Sequence, residues 1–117
     1  MQEILTELNK DPGIKGSMIV TEDGLTVQEE LGPTLDKDTV SALSASVILS
    51  TKRLYEEIGW GSFNQFVLTA SHGRMVFYDL DGPFLVVVTD MNIKLDQIFI
   101  EIASAANKIQ KKRQIRD

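Results

Sequence analysis

The stretch TVSALSASVILSTKRLYEEIG, Thr39 to Gly59, has helical periodicity and more apolar and small positions than one buried face requires. Val40, Leu43, Val47, Thr51, Leu54 and Ile58 recur at helical spacing and are expected to face the core. On the opposite side, at about 100° per residue, come Ala42, Leu49, Arg53 and Glu56, with Ala45 and Ser46 beside them. A solvated face would carry lysine and glutamate throughout, yet Lys52, Arg53, Glu56 and Glu57 cluster toward one end. Small side chains let a second helix approach closely, with Leu49 buried between the two. The expected cover is a second copy of the chain, paired antiparallel about a two-fold axis, with Arg53 of one copy brought toward Asp38 of the other. The competing explanation is a surface helix rich in alanine and serine for helix propensity alone.

Outward from this helix the punctuation is regular. Met1, Ile4, Leu5 and Leu8 mark a short amphipathic helix, stopped by Asp11-Pro12-Gly13. SMIVT and LTVQEEL flank Glu22-Asp23-Gly24, a hairpin signal. In the loop that follows, Asp36 or Asp38 is placed to cap the long helix, and Gly59 suits the left-handed position beyond its end. SFNQFVLTAS turns through His72-Gly73-Arg74 into MVFYDL, and that turns through Asp81-Gly82-Pro83 into FLVVVTD. The last of these is apolar at every position from Phe84 to Val88, so it is expected at the sheet centre, covered on both faces. A closing helix carries Leu95, Ile98, Phe99, Ile102, Ala106 and Ile109 on one stripe. The expectation is one domain, residues 1–117, of α+β class. It is a three-layer α/β/α arrangement around an antiparallel sheet of five strands, in the order α-β-β-α-β-β-β-α, with the long helix alone on one face.

Composition narrows the functions. The chain has 117 residues, no cysteine and a net charge of −5. Disulfide and thiolate chemistry are thereby removed, and a field of that sign repels phosphate backbones, which argues against nucleic acid. No run is long and apolar enough to cross a bilayer, so no integral membrane association is expected, and the N-terminus lacks the pattern of a secretory signal. The expected location is cytoplasmic. Bases gather at the end of the closing helix, in Lys108, Lys111, Lys112, Arg113 and Arg116, where cations favour exposed carbonyls; docking to a partner or a membrane surface is the other use of such a run.

Chemistry is sparse. His72 is the single histidine, and one imidazole without cysteine makes no zinc site. Asp79 and Asp81 alternate along a strand beside a turn, where solvated charge is expected. Gly13 to Ser17, GIKGS, lacks the spacing and ending of a phosphate loop and enters a strand. Trp60, between Gly59 and Gly61, reads as a lid on the core. No metal, cofactor or catalytic residue is expected, and the chain does not read as an enzyme. The strand Phe63 to Ser71, if at the sheet edge, has no proline or lysine to discourage pairing with its own copy.

Taken together, GIKGSMIVTEDGLTV, the alanine- and serine-rich helix and HGRMVFYDLDGPFLVVVTD before a final helix resemble the Roadblock/dynein light chain family over essentially the whole chain. The resemblance implies a profilin-like sheet of order 2-1-5-4-3 and a homodimer joined through the long helix and the third strand. It also implies a non-catalytic partner of small Ras-like GTPases, most like the stand-alone prokaryotic regulators of gliding-motility and polarity GTPases. Some of these accelerate GTP hydrolysis by repositioning the GTPase's own residues. Carried to this chain, the dimer interface comprises Ala42, Ala45, Ser46, Leu49, Arg53, Phe66 and Leu68. The GTPase-binding positions are Ser46, Ser50, Arg53 and Glu57, with Arg53 not expected to act as an inserted arginine. Two alternatives from other classes are a nucleotide-indifferent dimeric scaffold subunit and a ligand-binding sensory module. The sensory module would need a cavity that Phe63, Phe66, Phe77 and Phe84 are large enough to fill.

Overall fold

Eight elements alternate in the expected order. The computed structural model describes residues 1–116, with side chains as far as residue 113. Helix α1 (Gln2–Leu8) leads into the hairpin β1 (Ile14–Val20) and β2 (Thr26–Leu31). The long helix α2 (Lys37–Glu57) follows, then the meander β3 (Gln65–Ala70), β4 (Gly73–Asp79) and β5 (Phe84–Thr89), and finally α3 (Leu95–Arg116). All pairings in the sheet are antiparallel and the strand order is β2-β1-β5-β4-β3, the order implied by the resemblance.

Local chemistry sets the boundaries. Asp11 Oδ1 accepts from Gly13 N at 2.9 Å to close the turn after α1, and a methyl group at Gly13 would meet Ile93 at 2.9 Å. In the first hairpin Gly24 holds φ +90°, and Thr21 Oγ1 accepts from Leu25 N at 3.0 Å. Of the two candidate caps on α2, Asp36 is the one used. It accepts from Thr39 N at 3.3 Å, and the bonds from the Thr39 hydroxyl and amide hold its carboxyl below the usual range. Gly59, at φ +74°, follows the helix end in the left-handed conformation. Asp79 Oδ1 accepts from Asp81 N at 3.0 Å and Gly82 N at 3.4 Å, so the Asp79 carboxylate serves a turn.

The core divides at the sheet. One side packs Ile4, Leu5 and Leu8 of α1 and Ile98, Ile102, Ala106 and Ile109 of α3 against Ile19, Val76, Leu85 and Val87. The other packs Ile48 of α2 and Phe63 against Met18, Val20, Phe77, Phe84 and Val86. β5 contributes to both clusters from the centre of the sheet, as its unbroken apolar run requires. Phe63, Phe66, Phe77 and Phe84 fill the second cluster by ring contacts, with Phe66 stacked on Phe77 at 4.5 Å between centroids. At the end of α3, Arg113 Nη1 donates to Leu80 O at 2.8 Å and Lys112 meets Glu3 at 3.1 Å, so part of the basic run is engaged within the chain. Lys108 and Lys111 are exposed, and the side chain of Arg116 lies outside the described residues.

Glu101 on α3 has a buried Oε2 with no hydrogen-bond partner, and burial, then the nearby Asp11, pushes its carboxyl up. An acid raised in the folded state favours folding when protonated and costs stability as pH climbs through its folded value. Glu101→Gln is therefore expected to raise the urea midpoint at neutral pH. That advantage should vanish as the pH falls below the ordinary glutamate value of 4.5, where the wild-type side chain is itself protonated in both states.

Candidate functional site

The surface formed by α2 and the β3 edge holds every sequence-predicted site residue, but α2 is turned differently from expectation. Of the stripe Val40, Leu43, Val47, Thr51, Leu54 and Ile58, only Val40 and Val47 pack against the core, at its margin. Ser41, Ser44 and Ile48 are buried instead, Val40, Val47, Thr51 and Tyr55 are half-buried, and Leu43, Leu54 and Ile58 are exposed. The helix is rotated by roughly 90° about its axis relative to the apolar stripe. The cause is the β1–β2 hairpin on one flank. The Ser41 hydroxyl bonds that of Thr26, a methyl at Gly24 would touch Ala45 Cβ at 3.5 Å, and Lys52 pairs with Glu22 while lying 5.4 Å from the Phe84 ring centroid.

With that flank on the hairpin, the other overlooks the β5–β4–β3 part of the sheet. There the α2-side face presents Phe66 and Leu68 of β3, Met75 of β4 and Val88 of β5, with Phe66 opposite Phe77, Leu68 opposite Met75 and Met75 opposite Val88. Phe66, Met75 and Val88 are only half-buried and Leu68 is 45% exposed. An apolar trough thus runs between β3 and the ridge of Leu43, Leu54 and Ile58.

The sheet edges differ in kind. At the β2 edge stand Gln28, Glu29 and Glu30, and α1 reaches over it: Asn9 Nδ2 donates to Glu30 O at 2.6 Å and Gln2 Nε2 to Glu29 O at 3.4 Å. β3 pairs with β4 on one side only, and its sequence QFVLTA carries no charge and no proline. Such an edge invites another strand.

The expected positions therefore fall into three groups. Ala42, Ser46, Leu49, Ser50, Arg53 and Glu57 are exposed on the outward side of α2. Ala45 is half-buried toward Gly24. Phe66 and Leu68 line the trough. Leu49 and Leu54 consequently belong to different flanks of the helix. Trp60 is no lid: it is 75% exposed and only leans on Tyr55, with ring centroids 6.1 Å apart. His72 sits exposed in the β3–β4 turn, and GIKGS runs into β1 with no helix behind it. Among the described residues, no three His, Cys, Asp or Glu side chains are grouped to hold a metal, and no helix is long and apolar enough to cross a membrane.

The Roadblock/LC7 domain model matches residues 1–90, from α1 through the central strand β5. The chain belongs to the Roadblock/LC7 family. Protein MJ0310 of Methanocaldococcus jannaschii, itself uncharacterized, is 36% identical over 110 residues, which is 94% of this chain and 96% of that protein. Among solved structures, Myxococcus xanthus MglB superposes with a TM-score of 0.90 at 18% identity, over 97% of this chain and 94% of the other. A Roadblock/LC7 domain from Streptomyces avermitilis superposes with a TM-score of 0.87 at 16% identity, over 97% and 98%. These likenesses confirm the fold of a Roadblock/LC7 domain and extend it over α3, beyond the matched 90 residues.

Sequence periodicity missed Leu43, Leu54 and Ile58 as surface positions of this domain because it registers that a residue is apolar, not what covers it. The inward Ser44 offers a check on the rotation: its hydroxyl is buried with no partner. Ser44→Ala is expected to leave stability unchanged or raise it by about 1 kcal/mol, since it removes an unsatisfied buried polar group. The check is the urea midpoint at unchanged slope.

Proposed function

We propose that the chain is a homodimeric, non-catalytic regulator of a small Ras-like GTPase. The observation that carries this is the α2-side face of the sheet, covered by a single helix over its hairpin half and open over β3. A second copy, related by a two-fold axis beside β3, supplies the missing cover: its α2 lies antiparallel to the first, and its β3 extends the sheet edge to edge. In this arrangement Leu43 and Leu54 enter the seam with Phe66 and Leu68, while Ala42, Ser46, Leu49, Ser50, Arg53 and Glu57 stay at the outward surface of the paired helices. That outward surface is the proposed GTPase-binding surface. The family and the likeness to MglB support the assignment, and the scarcity of reactive groups in the described residues favours a docking role over chemistry.

Leu54→Arg buries an unpaired charge in the seam and is expected to reduce the mass measured by light scattering from dimer to monomer. Leu49→Arg, on the outward side, is expected to leave the dimer intact and to abolish GTPase capture. The reverse pattern would place the seam on the other flank. Capture from native lysate, divided between excess GDP and a non-hydrolysable GTP analogue, tests the partner. Enrichment of a small GTPase with the analogue is the expected result, whereas equal recovery in both nucleotides would indicate a nucleotide-indifferent scaffold. We further propose that binding stimulates hydrolysis without an inserted arginine. Arg53→Ala should weaken binding yet leave the turnover at saturation within a few-fold of wild type. Loss of about 10³-fold, the scale of an arginine finger, would overturn that.

A further inference from the structure

We propose that Trp60 of each copy is seated in a hollow at the far end of the other copy's sheet, so that the dimer is closed at both ends by an exchanged indole. This rests on the two-fold arrangement proposed above and adds the residue and the receiving site. Trp60 is the chain's single tryptophan, and it is 75% exposed. It is held out between Gly59 at φ +74° and Gly61 at φ +82°, with nothing within 4 Å of the Cβ position at either glycine. A large aromatic in so open a place is an anchor without a visible pocket.

The pocket lies at the opposite end of the same molecule. A hollow of about 610 Å³ opens beside the β3–β4 turn, with Leu35, Ala70, Met75 and Val88 on its apolar side and Lys15, His72 and Arg74 as its basic side. The chain's own Trp60 cannot reach it, because the tryptophan precedes β3 and the hollow follows it, a strand length of about 20 Å away. A second copy can. α2 begins at the hollow's end, just after Leu35, and runs to the tryptophan's end. Antiparallel pairing centred on Val47, midway along Lys37–Glu57, sets position 60 of one copy opposite position 34 of the other, and Thr34 also lines the hollow.

Charge agrees with this placement. The last turn of α2 has no basic residue and carries Glu56 and Glu57, both exposed. Acids at that end oppose the helix dipole and are unfavourable within one copy. The end of α2 that brings Trp60 to the second copy's hollow is thus acidic while the hollow carries Lys15 and Arg74, so the two ends match in charge in the dimer although Glu57 itself stays on the outward surface.

The test uses the intact chain, which has no cysteine. Mass by light scattering comes first: a monomer at every concentration overturns the seat together with the dimer. On wild-type dimer the single tryptophan is then read directly, the expectation being blue-shifted emission with acrylamide quenching several-fold slower than in the monomeric Leu54→Arg variant. Next, Trp60→Cys/His72→Cys is treated with a short bismaleimide, and the expected product is a covalent dimer on a denaturing gel, absent from either single variant. A dimeric mass with exposed, freely quenched emission overturns the exchanged tryptophan and leaves the dimer standing. Protected emission without cross-linking in a double variant that is still dimeric overturns this hollow as its seat.

Discussion

One α-helix cannot cover one face of a five-stranded sheet. Strands lie about 4.8 Å apart and a helix with its side chains is about 10 Å across, so a single helix shields roughly two strands. On the α1–α3 side two helices share the task, and Ile19, Val76, Leu85 and Val87 from three of the strands are buried there. On the other side α2 works alone. It is drawn to the β1–β2 hairpin by the Ser41–Thr26 and Lys52–Glu22 contacts, so the uncovered area falls on β3 and its neighbours. The trough, the open edge and the exposed leucine ridge all follow from that one shortage of cover.

The same shortage explains how much of the fold was legible in the residues. The DG turn, the Asp36 cap, Gly59 and the apolar run of β5 each act within a few residues of chain, so local pattern is enough to read them. The strand order is not local, and it came from the family resemblance. The rotation of α2 escapes local pattern for a physical reason. Periodicity selects the most apolar stripe, but the stripe of Leu43, Leu54 and Ile58 faces the trough, while the inward face includes two buried serines, Ser41 and Ser44. Serine is small enough to bring the helix close to the hairpin, and Ser41 finds a partner there in Thr26. Trp60 shows the same limit: an aromatic between two glycines beyond a helix reads as a lid on the core, and the structure leaves it outside.

Three faces on one helix also separate the consequences of change along α2. Positions such as Ile48 and Ser44 answer to the stability of the chain itself. Positions such as Leu43 and Leu54 are exposed in one copy, so in a lone chain their substitution is nearly neutral, as at other surface sites. On the proposed dimer the same substitutions act on association, whose cost depends on protein concentration. Ala42, Ser46, Leu49, Ser50, Arg53 and Glu57 would answer to neither, only to whatever docks from outside. A partner that touches the outward faces of both helices at once would bind the dimer and not the monomer. By linkage it would then strengthen the dimer by the same free energy that dimerisation lends to binding. Regulation through such a domain needs no reactive group, because the state of assembly and the docking surface are carried on one rigid element.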